Sequence, residues 1–308
     1  MFDVLREKPW SRDQAVIPKE VLLPRGMLGV EERGSLWWLA RHVATGRAII
    51  DAGSYIGASG FCLASGAASN PRYPRDQVAV HSYDYFEAFD RYVAQAITDT
   101  LRPCEPGENY LDIYRWQTGF YRDLVHPYPG DFLLQRWGGG PIDICFIDLA
   151  KTQPLSSHAL CQFLPAMTVG QSVLIQQDFY HCWHPYMQIA MEYLHHRLDV
   201  LDPHILWQSR LYGLVSMPTA EEFQRIEKWE FTPAEELELL DRYIDKERGD
   251  LKAMAHVVKL CQLWIHKDVA GYDAERARLS SAFDPAQSQQ LWAVQLGELD
   301  HHMERLRS

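Results

Sequence analysis

Basic charge is scarce in this sequence. Thirty Lys and Arg stand against forty-one Asp and Glu in 308 residues, a formal net charge of −11. Such a chain is a poor partner for nucleic acid or for an anionic membrane at large, although a local basic site stays compatible with it. Paired cysteines are lacking too. Cys62, Cys104, Cys145, Cys161, Cys182 and Cys261 form no C-x-x-C pair, and most sit in apolar runs. That is the pattern of reduced, buried thiols, not of a disulfide framework or a zinc site. No apolar run nears the ~18 residues of a spanning helix. The opening MFDVLREKPWSRDQ holds no apolar signal core. A soluble, cytoplasmic protein with no membrane span and no nucleic-acid partner is therefore expected. Repeats and low-complexity tracts are missing as well. With 47% hydrophobic and 23% charged residues, what remains is an ordinary globular composition.

Strand and helix signals alternate along the first two-thirds. Residues 31–46 have helical apolar spacing, with Gly46 as C-cap. Arg47–Asp51 reads as a buried strand, followed by a glycine-containing turn and an apolar helix, the first half of a βαβ unit. Gln77–Asp84 reads as the next strand and Phe86–Thr98 as its helix. Within 100–140, rich in proline and glycine, the pattern predicts a strand near Leu124–His126 and a helix around Phe132–Trp137. Ile142–Asp148 is a strongly apolar strand, followed by a helix over His158–Ala166. A strand at Ser172–Gln176 precedes a helix at Pro185–Leu198. Two further strands fall near His204–Ser209 and Leu211–Met217. The alternation predicts an α/β sheet with helices on both faces. After Pro218 only helices are legible, at about 233–248, 251–266 and 285–306. The first carries a Thr232–Glu235 capping box with Pro233 at N1, and the last starts at Asp284-Pro285. The expected domains are 1–218, with an N-terminal lead-in segment, and a helical extension at 219–308.

In open α/β sheets, ligands bind outside the carboxyl ends of the strands. Four acids fall at successive strand ends: Asp51, Asp84, Asp148 and Asp178. The turn Asp51-Ala-Gly53-Ser54-Tyr55-Ile-Gly57-Ala-Ser59 allows close backbone approach at its two glycines. It departs from GxGxxG, so the dinucleotide fingerprint fits poorly. Asp84 suits the two hydroxyls of a ribose.

DAGSYIGAS resembles motif I of class I S-adenosylmethionine-dependent methyltransferases. Its G-x-Y-x-G-x-S form is nearest that of catechol-, caffeoyl-CoA- and macrocin-type small-molecule O-methyltransferases. GMLGVEERGSLWWLARH resembles the helix before it. IDICFIDLAKT resembles the fourth motif, and PAMTVGQSVLIQQDFY the stretch that follows. The resemblance covers about residues 25–217. It implies a Rossmann-like, mostly parallel seven-stranded sheet and S-adenosylmethionine as cofactor. Asp51, Gly53, Ser54, Tyr55, Gly57 and Ser59 would wrap its amino acid part, Asp84 its ribose, and Asp131 and Phe132 its adenine. By the same resemblance, Asp148, Gln177 and Asp178 would hold Mg²⁺ or another divalent metal. The usual partner at the fifth strand is Asn or an acid, so metal-assisted and metal-free chemistry both stay open. Lys151 stands where the family's lysine deprotonates the acceptor hydroxyl.

Methyl transfer to a hydroxyl needs alignment and removal of a proton. Lys151, Asp148 and His181 are the catalytic candidates. His184 reads as structural, Tyr180 and Trp183 either as aromatic faces for an acceptor or as packing between the sheet and the next helix, and His195, His196, His301 and His302 as exposed helix residues. The acceptor class is a small molecule or glycan hydroxyl. The C-terminal helices would serve as a lid, a carrier-recognition surface or a homodimer face. The competing reading is a catalytically altered protein of the same fold that acts as a binding or scaffolding partner in a biosynthetic complex.

Overall fold

The computed structural model describes residues 1–12, 17–74, 77–205, 209–283 and 291–307. By its internal contacts the chain forms two units. Unit 1 comprises Met1–Ala150, His158–Gln177 and Arg197–Met217; unit 2 comprises Lys151–Ser157, Asp178–His196 and Pro218–Ser308. Unit 2 thus takes in two segments that precede residue 218.

Unit 1 holds a seven-stranded sheet of the expected class. Its strands are β1 (Ala48–Ala52), β2 (Val80–Asp84), β3 (Val125–Pro129), β4 (Ile142–Ile147), β5 (Val173–Gln176), β6 (Leu198–Ile205) and β7 (Ser209–Leu214), in the order β3-β2-β1-β4-β5-β7-β6. All pairings are parallel except those of β7 with β5 and β6. From β1 the order runs outward to β3 on one side and to β5 on the other. Right-handed crossovers in opposite directions put helices on opposite faces and leave a switch point between β1 and β4.

Its helices begin with α1 (Phe2–Arg6), α2 (Pro9–Arg12), α3 (Val30–His42), α4 (Ala58–Ala68), α5 (Arg91–Thr100) and α6 (Leu111–Thr118). The helices α3 and α4 pack closely, and their buried Leu36, Trp37, Leu39, Cys62 and Leu63 join Ile49, Val80, Ile144 and Val173 in the core. Gly66 lets the two backbones meet: a Cβ there would lie 2.4 Å from the Trp37 carbonyl oxygen. The helix α7 (Gln153–Phe163) follows β4. Unit 2 carries α8 (Pro185–Tyr193), α9 (Ala220–Glu227), α10 (Pro233–Lys246), α11 (Gly249–Ile265), α12 (Val269–Ala282) and α13 (Leu291–Arg307). Here α11 is the hub, packed on α10, α12 and α13. It is buried almost all round, including His256 and Lys259, which pair with Glu275. Lys259 also reaches Asp241 at 2.6 Å. Among the described residues no helix is long and apolar enough to cross a membrane.

Several elements differ from expectation. The helix over Pro185–Leu198 stops at Tyr193, and Leu198 opens β6 instead. Pro203 argues against a strand, yet β6 is an edge strand with register shifts on either side of Asp202, where a proline costs no ladder bond. Residues 206–208, part of the expected strand at His204–Ser209, lie outside the described residues, as does the expected start of the last helix at Asp284-Pro285. The helix around Phe132–Trp137 is a single 3-10 turn at Phe132–Leu134. The helix after β2 begins only at Arg91, capped by Asp90, whose carboxylate accepts from the Val93 amide at 2.8 Å. Five helices were not anticipated: α1, α2, α6, α9 and α12.

Gly66→Ala is expected to force α3 and α4 apart and to cost about 1–3 kcal/mol. A thermal melt of the variant checks this; an unchanged melting temperature would contradict the packing described.

Candidate functional site

The glycine turn sits at the switch point between β1 and β4. It is stapled on both sides by backbone bonds: the Gly53 amide donates to the Tyr83 carbonyl at 2.8 Å, and the Asp148 amide donates to the Ala52 carbonyl at 2.6 Å. Gly53 has φ +100°, and a Cβ there would lie 2.6 Å from the Asp148 carbonyl carbon and 2.7 Å from the Leu149 amide nitrogen. Only glycine fits. Tyr55 is left-handed as well, at φ +45°. Gly57, at φ +104°, starts α4 and lies under Tyr114 and Thr118 of α6, which leave a Cβ 3.1–3.2 Å of space. The Gln117 side chain donates to the Ile56 carbonyl at 2.6 Å and to the Arg25 carbonyl at 3.0 Å, tying α6 to the turn and to the lead-in segment.

Asp84, at the end of β2, gathers three donors. Its Oδ2 accepts from the Tyr55 amide at 2.8 Å. Its Oδ1 accepts from the Phe86 amide at 2.9 Å and from the Tyr110 hydroxyl at 2.7 Å. Burial pushes the Asp84 carboxyl up, against the pull of these bonds.

The expected cofactor residues separate into two layers. Gly53, Tyr55 and Asp84 are partly exposed at the strand ends. Asp51, Ser54 and Ser59 are not: all are buried beneath the turn, and Asp51 has no exposure at all. Ser54 Oγ donates to the Asp51 carbonyl at 3.0 Å and Ser82 Oγ to Asp51 Oδ2 at 2.9 Å, while Asp51 Oδ1 has no hydrogen-bond partner. Burial raises the Asp51 carboxyl to about 6, against hydrogen bonding from Ser59, Ser54 and Ser82. These three residues lie beneath the turn and support it from below. Phe132 is buried as well. Its ring is buried against Tyr83, Phe163 and His158 at centroid distances of 5.5, 5.7 and 5.0 Å. Asp131 is exposed and caps its turn through the Leu133 amide at 2.9 Å.

Unit 2 holds a separate polar group. The Lys151 ammonium is salt-bridged to the Asp178 carboxylate. Asp178 has φ +54° and opens a tight turn in which the His181 amide donates to its carbonyl at 2.9 Å. The His181 and His184 rings stack at 5.1 Å, and His184 Nδ1 meets the Tyr186 hydroxyl at 2.8 Å. His181 Nδ1 is buried with no hydrogen-bond partner. Burial would raise the Asp178 carboxyl, but Lys151, with His181 and His184, holds it below the ordinary range. Burial lowers both imidazoles, His184 to about 4, and favours their neutral forms. Phe179 and Tyr180 are core, as is Trp292, and Trp183 packs on Trp264 and His302 at 5.6 and 5.4 Å. His195 and His196 are exposed, but His196 also meets Glu222 at 2.7 Å.

The expected metal set does not fit. Among the described residues no group of three or more His, Cys, Asp and Glu is arranged to hold a metal ion. An ammonium already neutralises Asp178, and it would repel a divalent cation. Mg²⁺ at Asp148, Gln177 and Asp178 thus finds no support in this structure. Sequence reading missed Tyr110, Tyr114 and Gln117 because α6 was not anticipated. The spacing of Tyr110, Ile113, Tyr114 and Gln117 is the helical signal that marks them.

No protein-family model matches the chain, and no curated protein is significantly similar to it in sequence. Solved structures with a similar fold are methyltransferases in the main. The O-methyltransferase NovP is 15% identical, covers 62% of this chain and 82% of its own, and has a TM-score of 0.47. The calicheamicin methyltransferase CalS11 is 17% identical, covers 59% and 76%, and has a TM-score of 0.43. Cofactor-bound Rv0187 from MTB is 17% identical, covers 67% and 89%, and has a TM-score of 0.42. The sheet of this chain is seven-stranded and mostly parallel, with the antiparallel strand β7 beside β5.

Asp51 gives a test of the lower layer. Its carboxyl is raised from 3.8 to about 6. Folding therefore favours the protonated form, and that contribution is lost as pH rises from about 4 through about 6. Wild-type stability is expected to fall over this window by up to about 3 kcal/mol, and Asp51→Asn to lack that part of the slope. Urea unfolding of both proteins between pH 4 and 8 checks this; parallel pH profiles would contradict it.

Proposed function

We propose that the chain is an S-adenosylmethionine-dependent O-methyltransferase, with a hydroxyl of a small molecule or glycan as acceptor. The observation that carries this reading is the upper layer of the turn. Gly53 has no room for a side chain, Tyr55 has a buried hydroxyl with no partner, and Asp84 ends the neighbouring strand. A backbone cradle at a switch point beside an acid suits a ligand that joins an amino acid to a nucleoside. Gly53 and Tyr55 would hold the amino acid part, and Asp84 the ribose. Bound there, S-adenosylmethionine supplies an electrophilic methyl on a sulfonium.

The second requirement is a base for the acceptor hydroxyl. Lys151 is engaged with Asp178 and suits the role of a fixed positive charge better than that of a base. Burial favours the neutral form of His181, and its ring Nδ1 has no hydrogen-bond partner. His181 is therefore assigned as the base. The Lys151–Asp178 pair sets its electrostatic surroundings, and Asp148 is left without a catalytic role. No divalent metal enters the scheme.

Calorimetry with S-adenosylhomocysteine tests the cofactor site; absence of binding at millimolar ligand would reject it and favour a scaffolding role. With an acceptor in hand, His181→Ala is expected to lower turnover about 10²–10⁴-fold. EDTA is expected to leave the wild-type rate unchanged. A His181 variant of undiminished rate would refute its role as base, and a rate abolished by EDTA and restored by Mg²⁺ would refute the metal-free scheme.

A further inference from the structure

A carboxylate offers about four lone-pair positions. On Asp84 three are taken by the Tyr55 amide, the Phe86 amide and the Tyr110 hydroxyl, and the Tyr85 amide adds to the same group. Little acceptor capacity is left for a ribose, whose two hydroxyls both seek it. Three of these donors belong to the backbone of the strand end and the glycine turn, and they move only if the chain moves. The fourth is a side chain. Tyr110 precedes α6, in the segment between β2 and β3, and its backbone is clamped independently of its hydroxyl. Its amide donates to the Phe86 carbonyl at 2.9 Å, the Ala88 amide to the Glu108 carbonyl at 2.9 Å, and the Gly107 amide to the Ala88 carbonyl at 2.8 Å. The Tyr110 ring packs edge-on to Tyr55 at 5.8 Å and to Phe86 at 6.0 Å. The neighbouring Tyr55 hydroxyl is buried and without a hydrogen-bond partner.

We propose that Tyr110 is an exchange residue: a ribose hydroxyl takes the place of the Tyr110 hydroxyl on Asp84 Oδ1, and the tyrosine turns away as the ligand enters. This rests on the cofactor reading above and adds to it a residue that sets how tightly the ribose is held. The exchange is hydroxyl for hydroxyl, so the carboxylate keeps its number of donors. The unpartnered Tyr55 phenol beside it gives the released hydroxyl a polar neighbour. The cost of the exchange is the intramolecular bond that must first break.

The test is calorimetric titration of full-length wild type and Y110F with S-adenosylhomocysteine and with its 2′,3′-dideoxy analogue. Y110F is expected to bind S-adenosylhomocysteine about tenfold tighter, because a hydrogen bond to a charged group no longer has to be given up. The gain is expected to vanish with the dideoxy analogue. Equal or weaker binding by Y110F, or the same gain with both ligands, overturns the exchange and leaves the cofactor site standing. No binding by either protein rejects the cofactor site and the exchange together. An independent readout is 3-fluorotyrosine placed at position 110 of the otherwise wild-type chain. Its ¹⁹F resonance is expected to shift on addition of S-adenosylhomocysteine but not of the dideoxy analogue. A resonance that stays in place under saturating S-adenosylhomocysteine overturns the exchange.

Discussion

The carboxylate of Asp84 is the constraint on which the upper part of unit 1 depends. It holds the Tyr55 amide, and with it a residue in a left-handed conformation that strands and helices both disfavour. It holds the Phe86 amide, where the chain leaves β2 with a second left-handed residue. Through Tyr110 it also holds the segment that carries α6. Two strained backbones and one insertion thus meet on a single partly exposed acid. Because the carboxyl is largely desolvated, these bonds are stronger than they would be in water, and losing any one of them costs more.

Beneath this lies a second buried acid with a different balance. Asp51 meets only serine hydroxyls, no backbone amide, and its burial outweighs them, so the neutral form is favoured. The contrast with Asp84 is one of donors. Two acids at the ends of adjacent strands look alike in sequence, but one faces outward under backbone amides and the other inward among serines. The side-chain alternation of a strand does not decide this, since both stand at strand ends. The crossing of α4 and α6 over Asp51 does, with Gly60 leaving only 3.1 Å between a Cβ and its carboxylate.

Unit 2 follows a similar economy of charge. Lys151 and Asp178 neutralise each other, and burial, with a lesser push from Lys151 and against the pull of Asp178, favours the neutral forms of two stacked imidazoles. Within the helices, Lys259 is divided between Asp241 and Glu275, and His256 meets the same Glu275. The acidic excess of the composition is thus only partly a solvated surface. Asp178, Glu275 and Asp241 face specific cations. Asp51 and Asp84 face hydroxyls and amides instead.

The sequence by itself determined the alternating architecture, the strands β1, β4 and β5, the capped start of α10, and the glycine turn with Asp84 at the next strand end. These rest on local physics: apolar runs that need two covered faces, a T-P-x-E cap, and glycines where no Cβ fits. Only the tertiary structure decided which turn residues face out and which lie beneath. Only it showed that Phe132 is packed among aromatics, and that Lys151 is joined to Asp178. Those outcomes hang on contacts between residues far apart in sequence, such as Lys151 with Asp178 or Ser82 with Asp51. The edge strand β6 was hidden by Pro203, which is tolerated only because no further strand pairs beyond it. The helix α6 was hidden by its proline- and glycine-rich surroundings, and with it went Tyr110, whose role follows from where its hydroxyl lands and not from its place in the sequence.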